Sequence, residues 1–171
     1  MLPTASYSVA MARWAGLGAR LLVGGVWIWA ALLKLPHPES SVTAVRAYQL
    51  LPLSAADGVG RALLWLEFVV GACLVVGLLT RVSGAVSALM QLAFIIGIAS
   101  VWSRGIAINC GCFGDGGPDP DAFGKYPWEI ARDVGLLLLS VLVVWVRRTP
   151  FALDNLLLPP RTENVHVEEG P

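Results

Sequence analysis

Two cysteines separated by a single glycine, Cys110-Gly111-Cys112, are the residues in this chain best suited to covalent chemistry. In an extended backbone, residues i and i+2 point to the same face, and a disulfide between them closes a small ring. Glycine relieves that ring because it adopts backbone conformations closed to other residues. A strained disulfide is more readily reduced than a relaxed one, which suits exchange better than permanent stapling. Phe113-Gly114-Asp115-Gly116-Gly117-Pro118 follows as a flexible collar that would admit a partner protein. Two other readings stay open. The pair is also consistent with a static disulfide shaping its loop, or with half a metal site. Zinc takes about four Cys or His ligands, and the chain adds only Cys73, His37 and His166. That count argues against metal. Cys73 lies inside an apolar run, where a free cysteine behaves as a small core residue. Asp115, Asp119 and Asp121 lack the full calcium-loop pattern and read as solvated.

The second set of candidates is ionisable. Lys34 closes one apolar run, Glu67 lies inside the next, and Arg132 and Asp133 lie in the first turns of the last, with Arg104 just before the cysteines. Charges within a membrane are costly, about 2.5–3.5 kcal/mol at its centre on insertion scales. Lys34 and Arg132 are long enough to snorkel to the headgroups. Glu67 is too short, so an ion pair with Lys34 or Arg132 is expected. Such a pair serves function or merely fixes helix register.

The elements that must position these residues follow from the composition. The chain has 171 residues, 56% hydrophobic and 14% charged, with a mean hydropathy of +0.69. A soluble domain carries about 25% charged residues, and one of this size has too much surface to hide so much apolar sequence. Twelve basic and twelve acidic residues cancel, so nothing points to nucleic acid. A span needs about 20 mostly apolar residues. Four segments qualify, at about 16–35, 62–80, 82–102 and 129–146. The expected fold is an all-α integral membrane protein, an antiparallel bundle of four transmembrane helices occupying residues 1–148. The first segment has no good cleavage site after its aromatic run and reads as a retained span. Val42, Val45 and Tyr48 suit a short interfacial helix in the first loop. The loop from Ser103 to Pro127 is rich in Gly, Pro and Asp and is expected to be irregular and wet. Residues 149–171 read as a polar, disordered tail.

An even number of spans puts the first and third loops on one face, so Lys34, Glu67, Arg132 and Asp133 fall at similar depth beneath the cysteines. Arg81, Arg147 and Arg148 are the better-placed positive-inside signals. They favour a multi-pass cell-membrane protein with both termini cytoplasmic and the cysteine loop extracytoplasmic.

The order of these residues carries a family resemblance. Ala-Leu-Leu-Lys34-Leu ends the first helix, Tyr48-Gln49-Leu50-Leu51-Pro52 follows in the loop, and Leu66-Glu67 lies in the second helix. Arg104-Gly105, Asn109-Cys110-Gly111-Cys112-Phe113-Gly114 and Ala131-Arg132-Asp133 complete it. This resembles the methylamine utilisation protein MauE family, within the wider DoxX-like four-helix membrane proteins, over about residues 13–146. The resemblance implies assistance in maturing a disulfide-rich periplasmic dehydrogenase subunit, with a thioredoxin-like partner. Membrane oxidoreductases of similar architecture pass electrons to a quinone, which is an analogy of fold alone.

The leading expectation is a membrane thiol–disulfide exchange component in which Cys110 and Cys112 cycle with an extracytoplasmic thioredoxin-like protein. Lys34, Arg104 or Arg132 would favour the thiolate, and Glu67 or Asp133 would relay a proton. The rival is a non-enzymatic membrane scaffold or chaperone subunit braced by a fixed Cys110–Cys112 disulfide. A small-solute transporter draws on the buried charges alone and lacks the interrupted helices and repeats of such proteins.

Overall fold

The computed structural model describes residues 4–114, 116–146 and 149–157. Its order is α1 (Thr4–Lys34), α2 (Glu39–Ala47), α3 (Leu53–Val76), α4 (Thr80–Ser103), β1 (Ile108–Cys110), β2 (Gly116–Pro118), α5 (Ala122–Trp145) and α6 (Asp154–Leu157). Three helices are long and apolar enough to cross a membrane: α1 over Met11–Lys34, α3 and α4. The fold is mostly helical, as the apolar runs require. Each of the four long helices begins before the apolar run that marks it in the sequence.

Local chemistry sets the boundaries. Pro52 stands in extended backbone just before α3, where its missing N–H is no loss. Gly77 ends α3 at φ +79, and its N–H and that of Leu78 both donate to the Cys73 carbonyl at 2.8 and 2.9 Å. A left-handed glycine satisfies the last carbonyls of a helix in this way. The next helix starts three residues after Gly77, at Thr80. Its first free amides, Leu79 and Thr80, donate to the Asp154 carboxylate at 2.7 Å each. An acid at a helix N-terminus is favourable, and this one arrives from the far end of the chain.

The helices bury one stripe each. On α3 this is Ala56, Gly60, Leu64, Glu67, Val70, Gly71 and Leu74. The opposite surface stays apolar: Trp29, Trp65, Leu89 and Leu138 are all about 60% exposed or more. A surface of that kind suits lipid as its solvent. At mid-bundle, Gly24 of α1 and Gly71 of α3 bring the two backbones together. A Cβ on Gly71 would lie 2.9 Å from the Gly24 carbonyl, the close approach small residues permit between spans. Trp27 Nε1 donates to Ser87 Oγ at 2.7 Å, and Ser87 and Ser140 share a bond of 2.9 Å. That chain ties α1, α4 and α5.

Two expectations are corrected by the structure. The loop before α5 is not irregular. It forms an antiparallel hairpin in which Cys110 pairs with Gly116, Asn109 with Gly117 and Ile108 with Pro118. Nor is it wet. Ile108, Cys110 and Cys112 are buried against Ile98, Val101 and Tyr126. The reason is a ready set of partners for the backbone: the buried Tyr126 hydroxyl accepts from the Ile108 amide at 3.0 Å and donates to the Ile106 carbonyl at 2.8 Å. The first loop holds a short helix, α2, which packs on α3 and on the hairpin. The start of the segment read as a tail, residues 149–157, buries two of its described residues and leaves Phe151 exposed. Arg20 Nη1 donates to Thr149 Oγ1 at 3.0 Å, and Thr149 and Ala152 are buried. Arg147, Arg148 and His166 lie outside the described residues.

Candidate functional site

The site begins at Gly111, with φ +71, a conformation that side chains resist. It turns the chain off β1, so Cys110 ends the strand and Cys112 sits in the turn. The expected extended Cys-Gly-Cys geometry is therefore replaced by a left-handed step. Ala44 of α2 lies against the turn so closely that a Cβ on Gly111 would collide with it, and one on Gly116 would meet the Ala44 backbone at 2.8 Å. Two glycines thus let α2 cover the hairpin.

Both cysteines are free thiols, and both are buried. They are adjacent, with the Cys112 thiol donating to the Cys110 sulfur and the Cys112 amide 3.4 Å from it. That shared bond holds the Cys110 thiol below its ordinary range, against burial and the nearby Glu129 charge. The same bond and then burial push Cys112 well above it.

Two small cavities flank the pair. One, of about 30 Å³, is lined by Lys34, Ser41, Tyr48, Cys110 and Cys112. The other, of about 20 Å³, is lined by Trp27, Gln91, Cys112, Phe113, Arg132 and Asp133. Each has the size of about one water molecule. Cys112 is in the wall of both.

Lys34 and Glu67 form the expected pair. The ammonium donates to both carboxylate oxygens, at 2.7 and 2.8 Å, joining the end of α1 to the middle of α3. Arg132 Nε donates to Asp133 Oδ1 at 2.9 Å, and its guanidinium lies 4.7 Å from the Phe113 ring centre. Asp133 Oδ2 is buried without a hydrogen-bond partner among the described residues. Lys34, Arg132 and Asp133 thus reach the cavity walls, and Glu67 meets Lys34 without lining either cavity. Arg104 is exposed and donates to the Tyr48 carbonyl at 2.5 Å, so it touches the loop after α2 rather than a thiol.

The matching comparison fits this order of residues. The family description methylamine utilisation protein MauE matches residues 12–146. The chain belongs to the MauE family. No curated protein and no solved structure matches it. The matched stretch of this MauE-family chain runs from the first turns of α1 past the end of α5, and so takes in the hairpin and every site residue named above.

Two residues absent from the sequence-based site belong to it. Tyr48 donates its hydroxyl proton to the Cys110 carbonyl at 3.1 Å, and burial pushes its phenol far up, so it stays a donor. Glu129 is buried on the same stripe of α5 as Asp133, and its Oε2 has no hydrogen-bond partner among the described residues. A signal for Glu129 was present. It stands three and four residues before Arg132 and Asp133, on the same face of a helix.

Proposed function

We propose that this MauE-family protein carries out thiol–disulfide exchange in the membrane, in the maturation of extracytoplasmic proteins. The observation that carries this reading is the pair of adjacent thiols, polarised toward Cys110 and flanked by buried charges. In one direction the Cys110 sulfur attacks a disulfide of a thioredoxin-like partner, forming a mixed disulfide and releasing one partner sulfur. Cys112 then attacks Cys110, forming the Cys110–Cys112 bond and releasing the second. Two electrons and two protons pass to the partner, and the reverse sequence delivers the disulfide. The partner supplies the oxidant, so no quinone is needed for balance. Lys34, Glu67, Arg132 and Asp133 would set the charge around the pair and move its protons.

The proposed topology has four spans, with α5 as the fourth, both termini in the cytoplasm and the hairpin outside. The length of α5, 24 residues, and its leucine- and valine-rich second half support it. Labelling with a membrane-impermeant thiol reagent, before and after mild reduction, tests side and redox state together. Labelling that appears only after reduction places the pair outside and oxidised, and its readiness to be reduced separates exchange from a fixed brace. Failure to trap any mixed disulfide from a Cys112→Ser or Cys110→Ser protein would count heavily against exchange.

The burial of both sulfurs beneath α2 favours a second reading, a scaffold in which the pair is a fixed brace. A protein with both cysteines replaced by serine would then keep its function and lose only stability.

A further inference from the structure

The proposed exchange leaves unanswered where the proton of the second thiol, Cys112, goes. Cys112 is buried, and it lines both water-sized cavities. No carboxylate lines the cavity of about 30 Å³. Its Lys34 is a donor without acceptor capacity and is already bound to Glu67, and its Tyr48 hydroxyl donates to the Cys110 carbonyl. The cavity of about 20 Å³ differs. Residues of α1, α4 and α5 enclose it, and its wall is apolar apart from Trp27, Gln91, Cys112, Arg132 and Asp133. The Trp27 indole is committed to Ser87. Gln91 and Asp133 are only 3% and 2% exposed. Arg132 Nε donates to Asp133 Oδ1, and Arg132 Nη2 lies 2.9 Å from the same oxygen without a hydrogen bond to it. Asp133 Oδ2 is left unpartnered among the described residues, on a side chain that shares the cavity wall with Cys112. An unpaired buried carboxylate oxygen is costly, and a polar cavity of this size with two to four partners holds one water.

We propose that this cavity holds a water that carries the Cys112 proton to Asp133, an inference that rests on the exchange reading above. The water accepts from Arg132 Nη2 or the Gln91 amide and donates to Asp133 Oδ2. As the Cys112 sulfur forms its bond to Cys110, the thiol proton passes to the water and a proton of the water passes to Oδ2. The bond between Cys110 and the partner breaks, and its electron pair leaves on the partner sulfur, which takes a proton from bulk water. Asp133 then returns its proton to water, so the count of protons reaching the partner is unchanged. In the reverse direction Asp133 supplies the proton to Cys112. The transfer keeps Cys112 and Asp133 at one negative charge together, so two anions never stand side by side in a medium of low dielectric. Arg132 bears on Asp133 from the same helix, and Glu129 stands one turn before it on the buried stripe. Lys34, Tyr48 and Cys110 share the other cavity with Cys112. From α1 and α4 the cavity receives Trp27 and Gln91, neither of which titrates.

The test uses the full chain, reduced, in lipid nanodiscs, with iodoacetamide as probe and the modification of Cys112 followed by mass spectrometry from pH 5 to 10. Cys73, in α3, reports the state of the fold in the same digest. Asp133→Asn is expected to slow Cys112 modification at pH 7 by about a hundredfold, to make its rate climb steadily with pH as solvent base takes over, and to leave Cys73 unchanged. Asp133→Glu, which keeps a carboxylate, is expected to fall between. An Asn variant whose Cys112 reacts faster, with Cys73 unchanged, would overturn the proposal, because a carboxylate that merely repels the thiolate gives that sign. Identical profiles, including no modification in either protein, would overturn it as well. If Asp133→Asn loosens the fold and speeds Cys73, Gln91→Leu decides, since it removes a partner of the water and keeps the carboxylate. A slower Cys112 in that variant supports the relay, and an equal or faster one overturns it. The exchange reading is read separately, with oxidised glutathione. If Asp133-dependent alkylation persists while no mixed disulfide forms on Cys110, exchange fails and the relay stands. If the mixed disulfide forms while Cys112 ignores Asp133, exchange stands and the relay fails.

Discussion

The Lys34 ammonium holds both carboxylate oxygens of Glu67, at 2.7 and 2.8 Å, with neither side chain more than 2% exposed. The pair fixes the end of α1 against α3 directly beneath the hairpin. A buried pair is costly to break, because removing one partner strands the other charge. Lys34→Met alone should cost about 3–5 kcal/mol, and Lys34→Met with Glu67→Leu should recover most of it. Denaturant unfolding of the three proteins in detergent checks this. A double variant as unstable as the single would mean the pair is itself a net source of stability.

Cys110 should be the first cysteine modified as pH rises. Its thiol lies below the ordinary range because the Cys112 thiol donates to it, while that bond and burial hold Cys112 well above. Thiolate therefore accumulates on Cys110 at lower pH than on Cys112. Peptide-resolved alkylation between pH 6 and 10 should find the two separated in that order, and the reverse order would reassign the nucleophile.

The turn should not tolerate a side chain at Gly111. Gly111→Ala places a residue with a Cβ at φ +71, at a cost of about 1–3 kcal/mol, and drives that Cβ into Ala44. The strain is relieved by lifting α2 from the hairpin. Faster alkylation of both cysteines in this variant is the expected result, and an unchanged rate would mean that α2 does not control access.

Tyr126 should prove to be the anchor of the hairpin. Its hydroxyl serves the Ile108 amide and the Ile106 carbonyl. Tyr126→Phe strands both and should destabilise the protein by about 1–3 kcal/mol. Hydrogen exchange at the Ile108 amide should rise out of proportion to that at the α3 amides.

Asp154 should make the C-terminal segment acid-sensitive. Burial opposes its charge, but the Thr80 and Leu79 amides and Arg20 outweigh that and hold its carboxyl below the ordinary range. A depressed carboxyl contributes stability that is complete above its unfolded value, near 4, and lost as pH falls through the lower folded one. Protection of the Leu79 and Thr80 amides should therefore disappear in that acid window, and Asp154→Asn should lower it already at neutral pH.

Much of the molecule was legible in the chain itself. Apolar runs of about 20 residues announce membrane helices, since hydrocarbon leaves no other solvent for them. A short carboxylate at Glu67 had to find a cation, and Lys34 was one of two within reach. Parity of the helices put the cysteines above both. Glu129 was legible too by its helical spacing, and escaped notice because a charge in a helix's first turns reads as solvated.

What the sequence by itself determined, then, is the class of protein, the helices and the set of groups that share one end of the bundle. Tertiary structure alone decided that the cysteine loop is a buried hairpin, that α2 lies over it, and that Tyr48 rather than Arg104 meets Cys110. The physical reason is that a glycine-rich segment has no strong local preference. Its path is set by contacts distant in sequence, the Tyr126 hydroxyl and the Ala44 methyl, which no local pattern encodes.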